Sequence, residues 1–142
     1  MTVSGRSDYW LTLGTTPEQL MRAAEGFRTM AYAPYSNFFV GAALLMDDAS
    51  VVGGCNVENS SYGITLCAER IAMGNAVASG KINPLAIAVA GDVSSFCSPC
   101  GACRQFLSEF NPDMDVLLLQ NGSITSISLR SLLPYPFKLE SE

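Results

Sequence analysis

The chain has 142 residues, enough for one domain with its own apolar core and too few for a second. Its 13 acidic residues against 8 Lys and Arg give a net charge of -5, the wrong sign for neutralising phosphates, so no nucleic-acid partner is expected. No apolar run approaches a membrane span and no leader with an apolar centre opens the chain, so no membrane is expected, and the cytoplasm is the expected location.

Residues 1–15 read as an N-terminal extension in which Trp10 covers an edge of the core. Thr16, Pro17 and Gln19 form a helix start, with Thr16 as cap, Pro17 at the first helical position and Gln19 completing a capping box. Leu20, Ala23, Ala24, Phe27 and Met30 then recur at helical spacing up to Pro34. Residues 38–46 and 51–57 are apolar runs of strand length around a polar turn, the pattern of a hairpin. Residues 65–79 suit a buried helix closed by Gly80, with Cys67 in its first turn. Residues 84–91 form an all-apolar strand covered on both faces. Ser98 and Pro99 read as a second cap-plus-proline helix start, the helix reaching Phe110 before Asn111 and Pro112 stop it. Residues 115–119 and 124–128 are strands flanking the hairpin signal Asn121-Gly122, and residues 129–142 are a tail. The order implies a single domain built as a three-layer α/β/α sandwich, with helices covering a mixed five-stranded sheet.

Five cysteines and no histidine are present, and three of the cysteines fall between Cys97 and Cys103. That clustering suits metal binding in a reducing compartment better than a disulfide framework. Cys67, Cys100 and Cys103 offer three thiolates at two helix starts, where unpaired N–H groups and the positive dipole end stabilise anionic sulfur. Three protein ligands with a fourth position open is the arrangement of a catalytic zinc site. Three thiolates leave the ion with a net negative charge, which Arg70, one turn beyond Cys67, can offset by donating to sulfur; Arg104 could share that role. Glu69 lies beside the cluster without being its obvious fourth ligand and, with no histidine available, is the leading proton shuttle. Each assignment has an alternative: a surface ion pair for Arg70, a dipole-stabilising carboxylate for Glu69, and a closed four-thiolate structural site if Cys97 joins the set with Cys67 or Cys55. Cys97 precedes the helix start and should point elsewhere, and Cys55 reads as a small buried hydrophobe.

Beside these motifs stand Tyr32-Ala33-Pro34-Tyr35-Ser36-Asn37-Phe38, Gly41-Ala42-Ala43, Asn56-Val57-Glu58-Asn59, Cys67-Ala68-Glu69-Arg70 and Pro99-Cys100-Gly101-Ala102-Cys103-Arg104-Gln105. The series resembles the zinc-dependent nucleoside deaminases, and among them the small homotetrameric cytidine deaminases, over about residues 32–137. The resemblance implies a cytidine deaminase-like fold, one Zn2+ per subunit on Cys67, Cys100 and Cys103, and hydrolytic deamination of cytidine and deoxycytidine in pyrimidine salvage, with Glu69 moving the proton. It implies that Phe38 packs on the pyrimidine, that Asn56 and Glu58 bind the ribose, and that Ala68 belongs to the same substrate-binding set. It further implies that Tyr62 and Phe137 act across subunits. From composition alone, Phe38 reads as a core strand residue, Asn56 as a polar strand end and Phe137 as a packing anchor for the tail. The Asn121-Gly122 hairpin leaves no room for a helix between the last two strands, unlike the arrangement that nucleic-acid-editing relatives resemble. Deamination of another cytosine nucleoside, such as a nucleoside antibiotic, and a non-catalytic zinc module are the alternatives.

Overall fold

The computed structural model describes residues 8–92 and 96–140, so the first seven residues of the expected extension and the last two of the expected tail lie outside the described residues. Strands β1 (Gly41–Met46), β2 (Val51–Cys55), β3 (Pro84–Ala90), β4 (Asp115–Gln120) and β5 (Ser123–Ser128) form one sheet in the order β2-β1-β3-β4-β5. Only β3 and β4 run parallel, so the sheet is mixed. Side chains alternate between two cores, as the period of a strand requires. Ala42, Leu44, Met46, Ile87, Val89, Val116 and Leu118 face one core. Ala43, Leu45, Ala86, Ala88, Ala90 and Leu117 face the other. Helices α3 (Ala68–Ala78), α4 (Gly101–Ser108) and α5 (Leu129–Leu132) cover the first face through Ala72, Met73, Leu107 and Leu129. Helices α1 (Asp8–Leu13) and α2 (Pro17–Arg28) cover the second through Trp10, Leu20, Met21 and Ala24. The result is the expected three-layer sandwich, and cover on both faces explains the unbroken apolar runs.

Several boundaries differ from the sequence expectation for identifiable reasons. The Thr16 hydroxyl accepts the Gln19 N–H at 3.2 Å, but the Gln19 side chain pairs with the Thr15 hydroxyl, so half of the capping box forms. Helix α2 stops at Arg28, whose Nε donates to the Phe39 carbonyl at 2.8 Å, and does not run on to Pro34. Strand β1 begins at Gly41 and not at Phe38, because the backbone of residues 38–40 is taken up by the Asn56 side chain. Strand β2 ends at Cys55, and Val57 makes only isolated bridges to Tyr32 and Leu66. Helix α4 begins at Gly101, with extended Cys100 as its N-cap, and ends at Ser108. Ser98 and Pro99 cannot start it, since Arg104 engages the Ser98 hydroxyl at 2.9 Å and the Pro99 carbonyl at 2.8 Å. Cys67 is likewise the N-cap of α3 and not a residue of its first turn. The last two strands join through Asn121 (φ 51°) and Gly122 (φ 81°), consecutive left-handed residues that match the twist of a two-residue hairpin. Among the described residues no helix is long and apolar enough to cross a membrane.

Candidate metal and substrate site

The N-termini of α3 and α4 meet on one face of the sheet, and a glycine on β2 lets α3 lie close. A Cβ at Gly54 would stand 2.4 Å from the Ala72 nitrogen and 2.7 Å from the Ala68 carbonyl, so any side chain there pushes the helix away. With α3 seated, the sulfur atoms of Cys67, Cys100 and Cys103 all lie within 4.8 Å of one another, and Cys67 and Cys100 are 4.0 Å apart. Tetrahedral zinc with Zn–S bonds of ~2.3 Å spaces its sulfurs at about 3.8 Å, so the three residues fit that ion. The surroundings also favour a thiolate at Cys67. A hydrogen bond from Cys103 holds the Cys67 thiol down at about 5 against the opposing effect of burial, with help from Arg70 and Cys100. Cys103 is raised by the same bond and by burial. A bound cation would take the place of the thiol protons, since the ligands must be deprotonated.

Arg70 Nη2 donates to the Cys67 sulfur at 3.6 Å and to the Thr65 carbonyl at 3.3 Å. Arg104 does not share that contact: its guanidinium is spent on Ser98, Pro99 and the Leu132 carbonyl. Neither Cys97 nor Cys55 joins the thiol group, so three sulfurs gather and not four. Cys97 packs against the core that α3 and α4 cover, and burial, with Glu69 adding, pushes its thiol up to about 11.

Glu69, on the first turn of α3, is 5% exposed, and burial raises its carboxyl above the ordinary value of 4.5, with the Cys67 charge also raising it. It lines a cavity of about 200 Å³ together with Phe38, Asn56, Ala68, Cys67 and Cys97. Thr65 borders both this cavity and a second one of about 420 Å³, lined by Tyr35, Ser36, Glu58 and Tyr62. Phe38 is 41% exposed and is no core strand residue; its segment is held by Asn56 Nδ2 donating to the Phe38 carbonyl at 2.8 Å and by Asn56 Oδ1 accepting the Val40 N–H at 2.9 Å. That leaves Asn56 one amide hydrogen. The Glu58 carboxylate accepts the N–H groups of Tyr35 (3.0 Å) and Ser36 (3.2 Å) and the Ser36 hydroxyl, organising the chain beside Phe38. Tyr62 is largely exposed and meets Tyr35 edge to face at 5.8 Å. Phe137 borders neither cavity, and its exposed ring is no packing anchor; only its backbone is held, by Gln105.

Cys97 and Ser36 are among the contributors that were not foreseen. Cys97 lines the smaller cavity, and Gly91 makes room for it, since a Cβ at Gly91 would come 2.7 Å from the Cys97 Cβ. A glycine ending an apolar strand is the only sequence signal of that approach. Ser36 binds Glu58, and its place in the segment before Phe38 gave no hint of a partner 22 residues away.

Residues 15–119 match the model of the cytidine and deoxycytidylate deaminase zinc-binding region. The cytidine deaminase of Halalkalibacterium halodurans is 46% identical over 125 residues, 87% of this chain and 95% of that one. The crystal structure of the cytidine deaminase of Burkholderia pseudomallei is similar with a TM-score of 0.83 at 46% identity, covering 87% of this chain and 100% of that one. A more distant relative, the blasticidin-S deaminase of Bacillus cereus, is 30% identical over 127 residues, 84% of this chain and 90% of that one. With three thiols gathered at two helix N-termini beside a buried glutamate, and with these likenesses across most of its length, the chain belongs to the cytidine and deoxycytidylate deaminase family.

Proposed function

We propose that this chain hydrolyses cytidine and deoxycytidine to uridine and deoxyuridine with release of ammonia, in cytoplasmic pyrimidine salvage. One observation carries the reading: a buried glutamate stands beside three gathered thiols in a cavity that also has an aromatic wall. Cys67, Cys100 and Cys103 would hold a zinc ion, which would supply Lewis-acid activation of water. Glu69, whose carboxyl burial raises above the ordinary value, takes a proton from the attacking water and returns it to the substrate as the C4–N bond breaks. Phe38 offers a ring face to the pyrimidine, with Ala68 at the edge of the same cavity. The free amide hydrogen of Asn56 and the Glu58 carboxylate supply the donor and acceptor that sugar hydroxyls need. The exposure of Tyr62 and Phe137 supports a homotetramer in which both complete a neighbour's site.

Incubating the zinc-loaded protein with cytidine should yield uridine and ammonia in equal amounts. Glu69→Ala should keep one zinc per chain and lose turnover by at least ~10²–10⁴-fold. Zinc lost on that change, or substantial activity left, would refute the role given to Glu69. The likeness to a blasticidin-S deaminase keeps a second substrate in view, and competing cytidine against blasticidin S by kcat/KM decides between them.

A further inference from the structure

The tail beyond α5 lies along α4 and is held there by side chains of that helix. Gln105 grips the backbone of Phe137 from both ends of its amide: Nε2 donates to the Phe137 carbonyl at 2.8 Å, and Oε1 accepts the Phe137 N–H at 3.1 Å. Such a pair fixes an extended residue in position and direction, as a neighbouring strand would. One residue earlier, Arg104 Nη1 donates to the Leu132 carbonyl at 3.0 Å, while the rest of the guanidinium holds Ser98 and Pro99, the two residues before Cys100. The root of the tail and the loop leading to a metal cysteine therefore share one anchor. Past α4, Lys138 reaches Glu109 at 2.9 Å, but both partners are more than half exposed, so this pair adds little.

The clamp does nothing for the Phe137 side chain within its own chain. The ring is 69% exposed and borders neither cavity, and Tyr135 and Leu139 on either side are 95% and 75% exposed. Fixing a backbone that carries an exposed aromatic costs conformational entropy, which a contact made outside the chain can offset.

We propose that Gln105 is a positioning residue, whose amide sets where Phe137 is presented to a second copy of this chain, while Arg104 keys the tail to the loop carrying Cys100. This rests on the reading above that Phe137 completes a neighbour's site. Gln105 touches neither cavity, and both ends of its amide are bonded to Phe137.

The test uses zinc-loaded protein and steady-state kinetics with cytidine. Gln105→Ala should raise KM about tenfold while kcat stays within about twofold and zinc stays at one per chain. Gln105→Glu keeps the shape but sets a carboxylate oxygen against the Phe137 carbonyl, so its KM should also rise, and it serves alone if the alanine variant does not fold. On a Phe137→Ala background the Gln105→Ala change should add nothing, because nothing is left to position. If Phe137→Ala raises KM and Gln105→Ala does not, the clamp has no such role, although the cross-chain reading survives. A Gln105→Ala effect of equal size in both backgrounds also overturns the inference. A Phe137→Ala variant with the parent KM removes the cross-chain reading, and this inference with it.

Discussion

Arg70 has one hydrogen-bonding hand on a sulfur and on the loop before it, since Nη2 reaches both Cys67 Sγ and the Thr65 carbonyl. Three thiolates around a divalent cation leave a net charge of -1, and a guanidinium on one sulfur withdraws electron density that would otherwise weaken the ion as a Lewis acid. Replacing it by Gln keeps a donor but removes the charge. Arg70→Gln should lower zinc affinity or kcat by ~10–100-fold, read by chelator competition and by turnover; parent values for both would return Arg70 to an ordinary ion-pairing role. Glu58 works through hydrogen bonds in a different way. The Ser36 hydroxyl, then the N–H groups of Tyr35 and Ser36, hold its carboxyl below 4.5 against the opposing effect of burial. A depressed folded-state value means that its contribution is fully present above the ordinary glutamate range and is lost only as pH falls through the lowered value. At neutral pH, Glu58→Gln can keep its carbonyl on the two N–H donors but loses the charge and sets an NH2 where the Ser36 hydroxyl donated, and so should loosen the segment leading to Phe38. The expected readout is a KM for cytidine raised about tenfold with zinc content unchanged, and no change in KM would show that this segment does not govern binding.

Helix α3 places both a metal thiol and the buried glutamate, and its seat on the sheet depends on Gly54. The atoms that a Cβ would strike there are backbone atoms of α3, which cannot swing aside as a side chain can. Gly54→Ala should therefore cost ~1–3 kcal/mol by denaturant unfolding and weaken zinc binding by displacing Cys67. Gly74→Ala is the control, because Gly74 lies in the same helix with nothing within 4 Å of its added Cβ. That change should stabilise by ~0.5–1 kcal/mol through helix propensity alone. Equal effects at both glycines would mean that close helix–sheet packing does not position the site. The same elements show what a sequence carries. Strands β1, β3 and β4 were legible because burial on two faces writes an unbroken apolar run, and the last hairpin because Asn-Gly satisfies two left-handed positions. The start of α4 was misread, since Ser98-Pro99 is a good local start that Arg104 overrides through contacts in space. Helix α1 went unseen because only six residues form it, and Trp10 buried against α2 holds it there, a tertiary cause with no local pattern.

Across the whole molecule, the candidate site draws on segments far apart in the chain: residues 35–38 before the sheet, Asn56 and Glu58 after β2, and the starts of α3 and α4. The cysteines and Glu69 could be read from spacing because metal chemistry restricts both residue type and geometry. Asn56, Glu58 and Phe38 carried no such restriction, and only the resemblance singled them out; their hydrogen bonds to one another's segments belong to the fold. A metal that joins the N-termini of α3 and α4 also ties together two helices that otherwise meet through packing on the same core. A ligand bound only by the folded state stabilises it by mass action, so zinc should contribute to stability as well as to turnover. Chelation at neutral pH should lower the unfolding midpoint by more than ~5 °C and abolish deamination, and zinc alone should restore both. Because the thiols must lose their protons to hold the ion, zinc should be released more readily as pH falls, and its uptake at fixed pH should release protons measurable in weak buffer. A chelated protein that keeps its midpoint but loses turnover would make the ion purely catalytic, whereas one that keeps turnover would remove zinc from the reaction.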